Sequence, residues 1–211
     1  MPLALAPSLS WLAPPLCWGC SGPARPAEPL CGHCRGSFQR LAAEPVSLSG
    51  VAVWAPVAYA GPARELVRAL KFRGARGVAD AMAAQIVANA PPDLLPRGAL
   101  VPVPLHPRRL RSRGYNQAAE IAAAIARRTG LEVAVRLARS GSTATQVGRA
   151  RAERRVGPAG EIEPVGRAPT RVVLVDDVVT TGATLAACRA ALLGAGSAEV
   201  RAVVFARTLG R

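Results

Sequence analysis

RVVLVDDVVTTGATL, residues 171–185, is the stretch from which the fold is read. Val172, Val173, Leu174 and Val175 form an unbroken apolar run rich in β-branched side chains, the pattern of a strand buried on both faces. Asp176 and Asp177 follow at once, where such a strand would leave its sheet. Thr180, Thr181, Gly182, Ala183 and Thr184 then place hydroxyls around one glycine. Leu185 to Leu193 reads as a helix, with Leu185, Cys188 and Leu192 on one face. Strand, acidic pair, hydroxyl-glycine turn and helix make a βα crevice of the kind that binds ligands in open α/β sheets.

A phosphorylated sugar suits that chemistry. Gly182 permits a tight turn, so successive N–H groups can face one phosphate at a helix N-terminus. Thr180, Thr181 and Thr184 offer hydroxyls to the same oxygens. Asp176 and Asp177 can accept hydrogen bonds from ribose hydroxyls or meet the shell of a magnesium ion. An acidic turn before an ordinary helix is the plainer alternative, since Asp and Thr are common there. The ordered string as a whole resembles the phosphoribosyl-pyrophosphate (PRPP) signature of type I phosphoribosyltransferases. That resemblance implies a catalytic role for Asp176 and Asp177. It implies PRPP contacts along Val178, Val179, Thr180, Thr181, Gly182, Ala183 and Thr184, with magnesium bound alongside PRPP.

Upstream, Leu100-Val101-Pro102-Val103-Pro104 is a short apolar strand whose prolines confine or close it. It runs into His106, Pro107, Arg108, Arg109, Leu110, Arg111, Ser112, Arg113, Gly114, Tyr115, Asn116 and Gln117. No acid lies between Leu94 and Ala119. A solvated surface run is the plain reading of such charge. Its place between a strand and the helix Ala118 to Arg128 parallels the 171–185 unit and aims these arginines at the same sheet edge. Nearer the start, Ser47 to Tyr59 alternates loosely as a strand. Helices are expected over Pro62 to Phe72 and Val78 to Ala90, joined by the string Lys71-Phe72-Arg73-Gly74. Leu131 to Ala138 reads as a strand, 157–169 as a Pro/Gly-rich linker, and Glu199 to Ala206 as the closing strand. The fold class is α/β, a mostly parallel sheet flanked by helices.

Cys17, Cys20, Cys31 and Cys34 form two C-x-x-C pairs separated by ten residues. Each pair suits a tight turn whose thiolates converge on a tetrahedral zinc. A reducing cytoplasm disfavours the alternative of two disulfides. Cys188 shares a helix face with Leu185 and Leu192 and reads as a packing thiol. The expected organisation is an N-terminal segment with a zinc ribbon over 1–44 and an α/β domain over 45–211.

Of 27 basic residues only Lys71 is a lysine, and the formal net charge is +14. Arginine binds phosphate bidentately, so this balance admits phosphate or nucleic-acid partners. A GC-rich genome explains the Arg/Lys ratio equally well, though not the height of the net charge. Half of the residues are hydrophobic, enough for a core, yet no run approaches the ~20 apolar residues of a membrane helix. Residues 2–16 are apolar but broken by prolines and lack a basic leader, so a cytoplasmic protein is expected.

The four-cysteine ribbon, K-F-R-G, V-P-V-P-L-H-P-R-R-L-R-S-R-G-Y-N-Q-A and D-D-V-V-T-T-G-A-T, in this order, resemble the ComF family of competence-associated proteins. Those join a zinc ribbon to a phosphoribosyltransferase-like domain. The resemblance implies structural zinc on the four cysteines and PRPP with magnesium in the crevice. Pyrophosphate or phosphate contacts are implied for Arg108, Arg109, Arg113 and Lys71, and a mobile hood for 139–156, where Thr143 and Gln146 fit the family's T-x-x-Q. It also implies a link to DNA uptake, with single-stranded DNA and an uptake helicase as partners. Two alternatives stand beside a PRPP-binding competence protein. One is an active phosphoribosyltransferase with an unidentified acceptor. The other is a non-catalytic adaptor for single-stranded DNA or a helicase.

Overall fold

The computed structural model describes residues 15–25, 28–95, 98–140 and 162–210. In chain order the elements are α1 (Gly32–Gly36), β1 (Val46–Leu48), β2 (Val51–Trp54), β3 (Val57–Ala58), α2 (Gly61–Phe72), α3 (Val78–Asn89) and β4 (Ala99–Pro102). They continue with α4 (Pro107–Arg113), α5 (Gln117–Thr129), β5 (Leu137–Arg139), β6 (Ile162–Pro164), β7 (Arg171–Val179), α6 (Ala183–Gly194) and β8 (Glu199–Arg207). The main sheet runs β1-β2-β8-β7-β4, and β3 continues along β8 in the register of β2. Among the described strands of this sheet only the β1–β2 pair is antiparallel; β2, β3, β8, β7 and β4 are parallel. This is the mostly parallel α/β sheet expected from the sequence.

Apolar alternation sorts the two faces. Val173 and Val175 of β7 join Leu66 and Leu70 of α2, Met82 and Ile86 of α3, and Ile121 and Ile125 of α5 in one cluster. Val172 and Leu174 join Leu185, Cys188 and Leu192 of α6 in the other. With helices on both faces, β7 has nowhere to show a polar side chain except at its ends. Each such Leu or Ile side chain contributes about 1.5–3 kcal/mol relative to exposure.

β7 is longer than its apolar run. It extends to Val179 because β8 pairs with it that far, Val179 opposite Arg207, whereas β4 stops opposite Val175. Asp176 and Asp177 therefore lie within the strand, beyond the reach of β4 but still beside β8. The expected single strand at 47–59 is a hairpin followed by β3. Its two-residue turn, Ser49 and Gly50, has φ of +49° and +78°, as a type I′ turn requires. From the expected strand at 131–138, Val133 bridges Leu100 in parallel, and β5 turns away to pair antiparallel with β6. β6 itself lies in the stretch read as a linker.

The cysteine segment packs on the α2 face. Cys17, Leu30, Cys34 and Phe38 share a cluster with Leu66, Leu70 and Phe205, and Phe38 meets Phe205 edge-to-face at 6.1 Å. Among the described residues no helix is long and apolar enough to cross a membrane.

Candidate functional site

The site is built at the carboxyl end of β7. Strand alternation turns Asp177 toward α2, and the residue is only 2 % exposed. There Lys71 Nζ lies 2.9 Å from Asp177 Oδ2. The contact is a charge pairing, since no donor reaches Oδ2 with hydrogen-bond alignment. Asp176 turns to the opposite face, near the Arg139 guanidinium and the buried Cys188 thiol. Its Oδ1 accepts the backbone N–H of Asp177 at 2.8 Å. Burial, and then the charge of Asp177, push the Asp176 carboxyl up to about 8, against the opposing pull of Lys71. The acidic pair is thus two different carboxyls: Asp177 held by a cation on one face, Asp176 inclined to keep its proton on the other.

Val178 and Val179 complete the strand, and the exposed Thr180 and Thr181 lead into the turn. Gly182 is the N-cap residue of α6 with φ +84°, left-handed. Thr181 Oγ1 accepts from Ala183 N at 3.4 Å, a local turn contact. A side chain at 182 would also collide with the hairpin, because a Cβ there would lie 2.8 Å from Leu48 Cβ and 3.1 Å from Leu48 O. Glycine is required here both by the backbone angle and by close packing. Ala183 and Thr184 open the twelve-residue α6, whose first N–H groups face outward from the crevice's end.

The arginine run forms a helix, α4. Pro107 sits at its first turn, and His106 Nδ1 accepts from Arg108 N at 3.2 Å. Gly114, left-handed at φ +80°, ends it. The next three residues fasten its position. The Tyr115 hydroxyl donates to Leu70 O at the end of α2. Asn116 caps α5 by accepting from Ala118 N at 3.0 Å and donates to Val103 O at 2.9 Å. Between α4 and the end of α2 lies an open cleft of about 690 Å³ lined by Lys71, Phe72, Arg108, Arg109, Arg113 and Gln117, among others. No acid lines it. Arg113 stacks over the Phe72 ring at 5.6 Å, and its Nη1 is buried without a hydrogen-bond partner among the described residues. Burial lowers the Arg113 guanidinium's pKa, and the nearby Asp177 charge works against that.

The four cysteines converge. Their Sγ atoms all lie within 4.8 Å of one another, and Cys20 and Cys31 are 3.8 Å apart. A zinc–sulfur bond of about 2.3 Å implies a tetrahedral edge of about 3.8 Å, so this donor set fits zinc. Burial would raise the Cys17 thiol, but backbone N–H groups of Cys31, Cys20 and Gly19 bring it down to about 6. The N–H···S contacts from Gly19 and Cys31 measure 3.3 Å each.

The structure therefore brings Asp176, Asp177 and Lys71 together at one end of the sheet, with Arg108, Arg109 and Arg113 on the adjoining helix α4. Lys71 meets a carboxylate instead of standing free as a phosphate contact. Thr143, Gln146 and the rest of the expected hood from 141 onward lie outside the described residues. Three groups near the site carried no signal of their own in the sequence. Gln117 is 6 % exposed with Oε1 unpartnered among the described residues. Arg139 ends β5 near Asp176, and Ser49 touches the 180–184 turn from the far side.

Residues 112–211 match the family model of the phosphoribosyl transferase domain. The match takes in α5, β7, the 180–184 turn, α6 and β8, which are the elements that build the crevice. It leaves out the cysteine ribbon, Lys71 and all of α4 before Ser112. No curated protein matches the chain.

Proposed function

We propose that this chain binds PRPP with magnesium at the carboxyl end of β7, and that it is a ComF-type protein whose PRPP site serves DNA uptake. The observation that carries the reading is the unbroken unit from Asp176 to Thr184, inside the phosphoribosyl transferase match, with a left-handed Gly182 at the start of α6. The 5-phosphate lies on the N–H groups around Gly182, with hydroxyls of Thr180, Thr181 and Thr184 around it. Asp176 and Asp177 would flank the ribose from the two faces of the strand end. Their hard oxygens suit magnesium, which would supply charge neutralisation to the pyrophosphate oxygens. Arg109 and Arg113 sit where the pyrophosphate end would lie, with Lys71 beside them on Asp177, and a cation there stabilises a departing anion. The ribbon ahead of the domain supports the ComF assignment.

Calorimetric titration of PRPP with and without magnesium tests this. Saturable binding that strengthens with magnesium is expected, and absence of binding in both conditions overturns the reading. A screen of nucleobases and amines for pyrophosphate release then separates transferase from sensor. A second reading, an adaptor for single-stranded DNA in a helicase complex, is favoured by a different observation. Arg108, Arg109 and Arg111 have no ion-pair partner among the described residues, and Phe72 beside them is 74 % exposed.

A further inference from the structure

We infer that Ser49, at the tip of the β1–β2 hairpin, is a positioning residue for the phosphate turn, one that aims the Gly182 N–H at the 5-phosphate. The inference rests on the PRPP reading above. Ser49 Oγ donates to Thr181 O at 2.9 Å, across 132 residues of chain. The peptide bond between Thr181 and Gly182 is trans. In a planar trans peptide the carbonyl and the N–H point in opposite directions. Holding Thr181 O against the hairpin therefore turns the Gly182 N–H away from it, into the crevice at the start of α6. Among the described residues that N–H has no acceptor of its own.

The hairpin is shaped for this task in two further ways. Ser49 is one of only two non-glycine residues with positive φ among the described residues. That angle belongs to the type I′ turn, which presents the Ser49 hydroxyl at the hairpin tip. Leu48, the preceding residue, fills the space that a side chain at 182 would take, with its Cβ 2.8 Å and its carbonyl oxygen 3.1 Å from that position. Hydroxyl and backbone thus grip the same turn from one side, while the other side faces the ligand.

The test separates the hydroxyl from the turn. Ser49→Gly keeps the left-handed angle and removes the donor. Ser49→Asn also tolerates that angle and restores an N–H donor. The probes are ribose 5-phosphate, which occupies the phosphate turn, and magnesium pyrophosphate, which reaches only the arginine side. Loss of one hydrogen bond predicts about three- to tenfold weaker ribose 5-phosphate binding in Ser49→Gly. Pyrophosphate binding should be unchanged, and Ser49→Asn should recover most of the loss. Ser49→Ala repeats the measurement if the glycine variant does not fold. Unchanged ribose 5-phosphate affinity overturns the role of Ser49, as does equal loss of both probes, which marks a merely structural contact. A wild-type chain that binds no ribose 5-phosphate overturns the phosphate turn itself.

Discussion

Gly182 shows how a single residue is fixed twice over. Its φ of +84° disfavours any side chain, and the Leu48 backbone closes the space a Cβ needs. Gly182→Ala is expected to destabilise the protein by about 2–5 kcal/mol, the sum of a left-handed angle and overpacking. Denaturant unfolding measures it; a change under 1 kcal/mol would mean the hairpin yields freely. Asp176 makes a prediction with pH. Its pKa rises from the ordinary 3.8 to about 8 on folding, so the folded state holds a proton that the unfolded state has lost. Stability should then fall as pH rises through that window, by up to about 1.4 kcal/mol per unit, and level off above it. Asp176→Asn should flatten this slope and be the more stable protein at pH 8. Magnesium needs the ionised carboxylate, so magnesium-dependent PRPP binding should strengthen toward pH 8. An affinity independent of pH between 6 and 8 would show that Asp176 does not meet the metal.

At the level of elements, what the sequence disclosed was what local periodicity encodes. The run Val172 to Val175 announces a buried strand, and the helices around Leu66, Ile86 and Ile121 follow from their apolar spacing. Helix α4 escaped because a seven-residue segment dominated by arginine has no apolar face, even though Pro107 marks a helix start. β6 escaped because three residues in a Pro/Gly-rich stretch carry too little pattern. The site's contacts were hidden for another reason. Lys71 with Asp177 and Ser49 with Thr181 are tertiary pairs far apart in the chain, and only the sheet order brings them together. Helix α4 makes its own prediction. If its unpaired arginines track a phosphate backbone, single-stranded DNA affinity falls linearly with log salt by about 0.7 per contact. Replacing Arg108 and Arg109 by Ala should make that slope shallower by roughly 1.4. An unchanged slope would leave these side chains as a solvated face.

Across the whole molecule the consequence is that ribbon and α/β core should melt together. Sequence places the cysteines in a separate segment, but the structure puts Cys17, Leu30, Cys34 and Phe38 in one cluster with Leu66, Leu70 and Phe205. The Arg73 guanidinium, at the C-cap of α2, also lies 5.9 Å from the Trp18 ring. A metal that draws the four thiolates together therefore also seats Leu30 and Phe38 against α2. Without it, ligand loops lose their closure and these side chains lose their cover. Exposing both costs about 1.5–3 kcal/mol each, which for a chain of this size lowers the melting temperature by roughly 6–24 °C. Cys20 gives the clean variant, because its thiol is exposed and Cys20→Ser removes a ligand without opening the core. Calorimetry of the full chain should show one transition in the zinc-loaded protein, and one lowered transition after chelation or in Cys20→Ser. Two separate transitions, or a core that melts at the same temperature with and without zinc, would show that the ribbon is a passenger on the fold. A single shifted transition would place the zinc knuckle among the elements that hold α2, and with it Lys71, at the site.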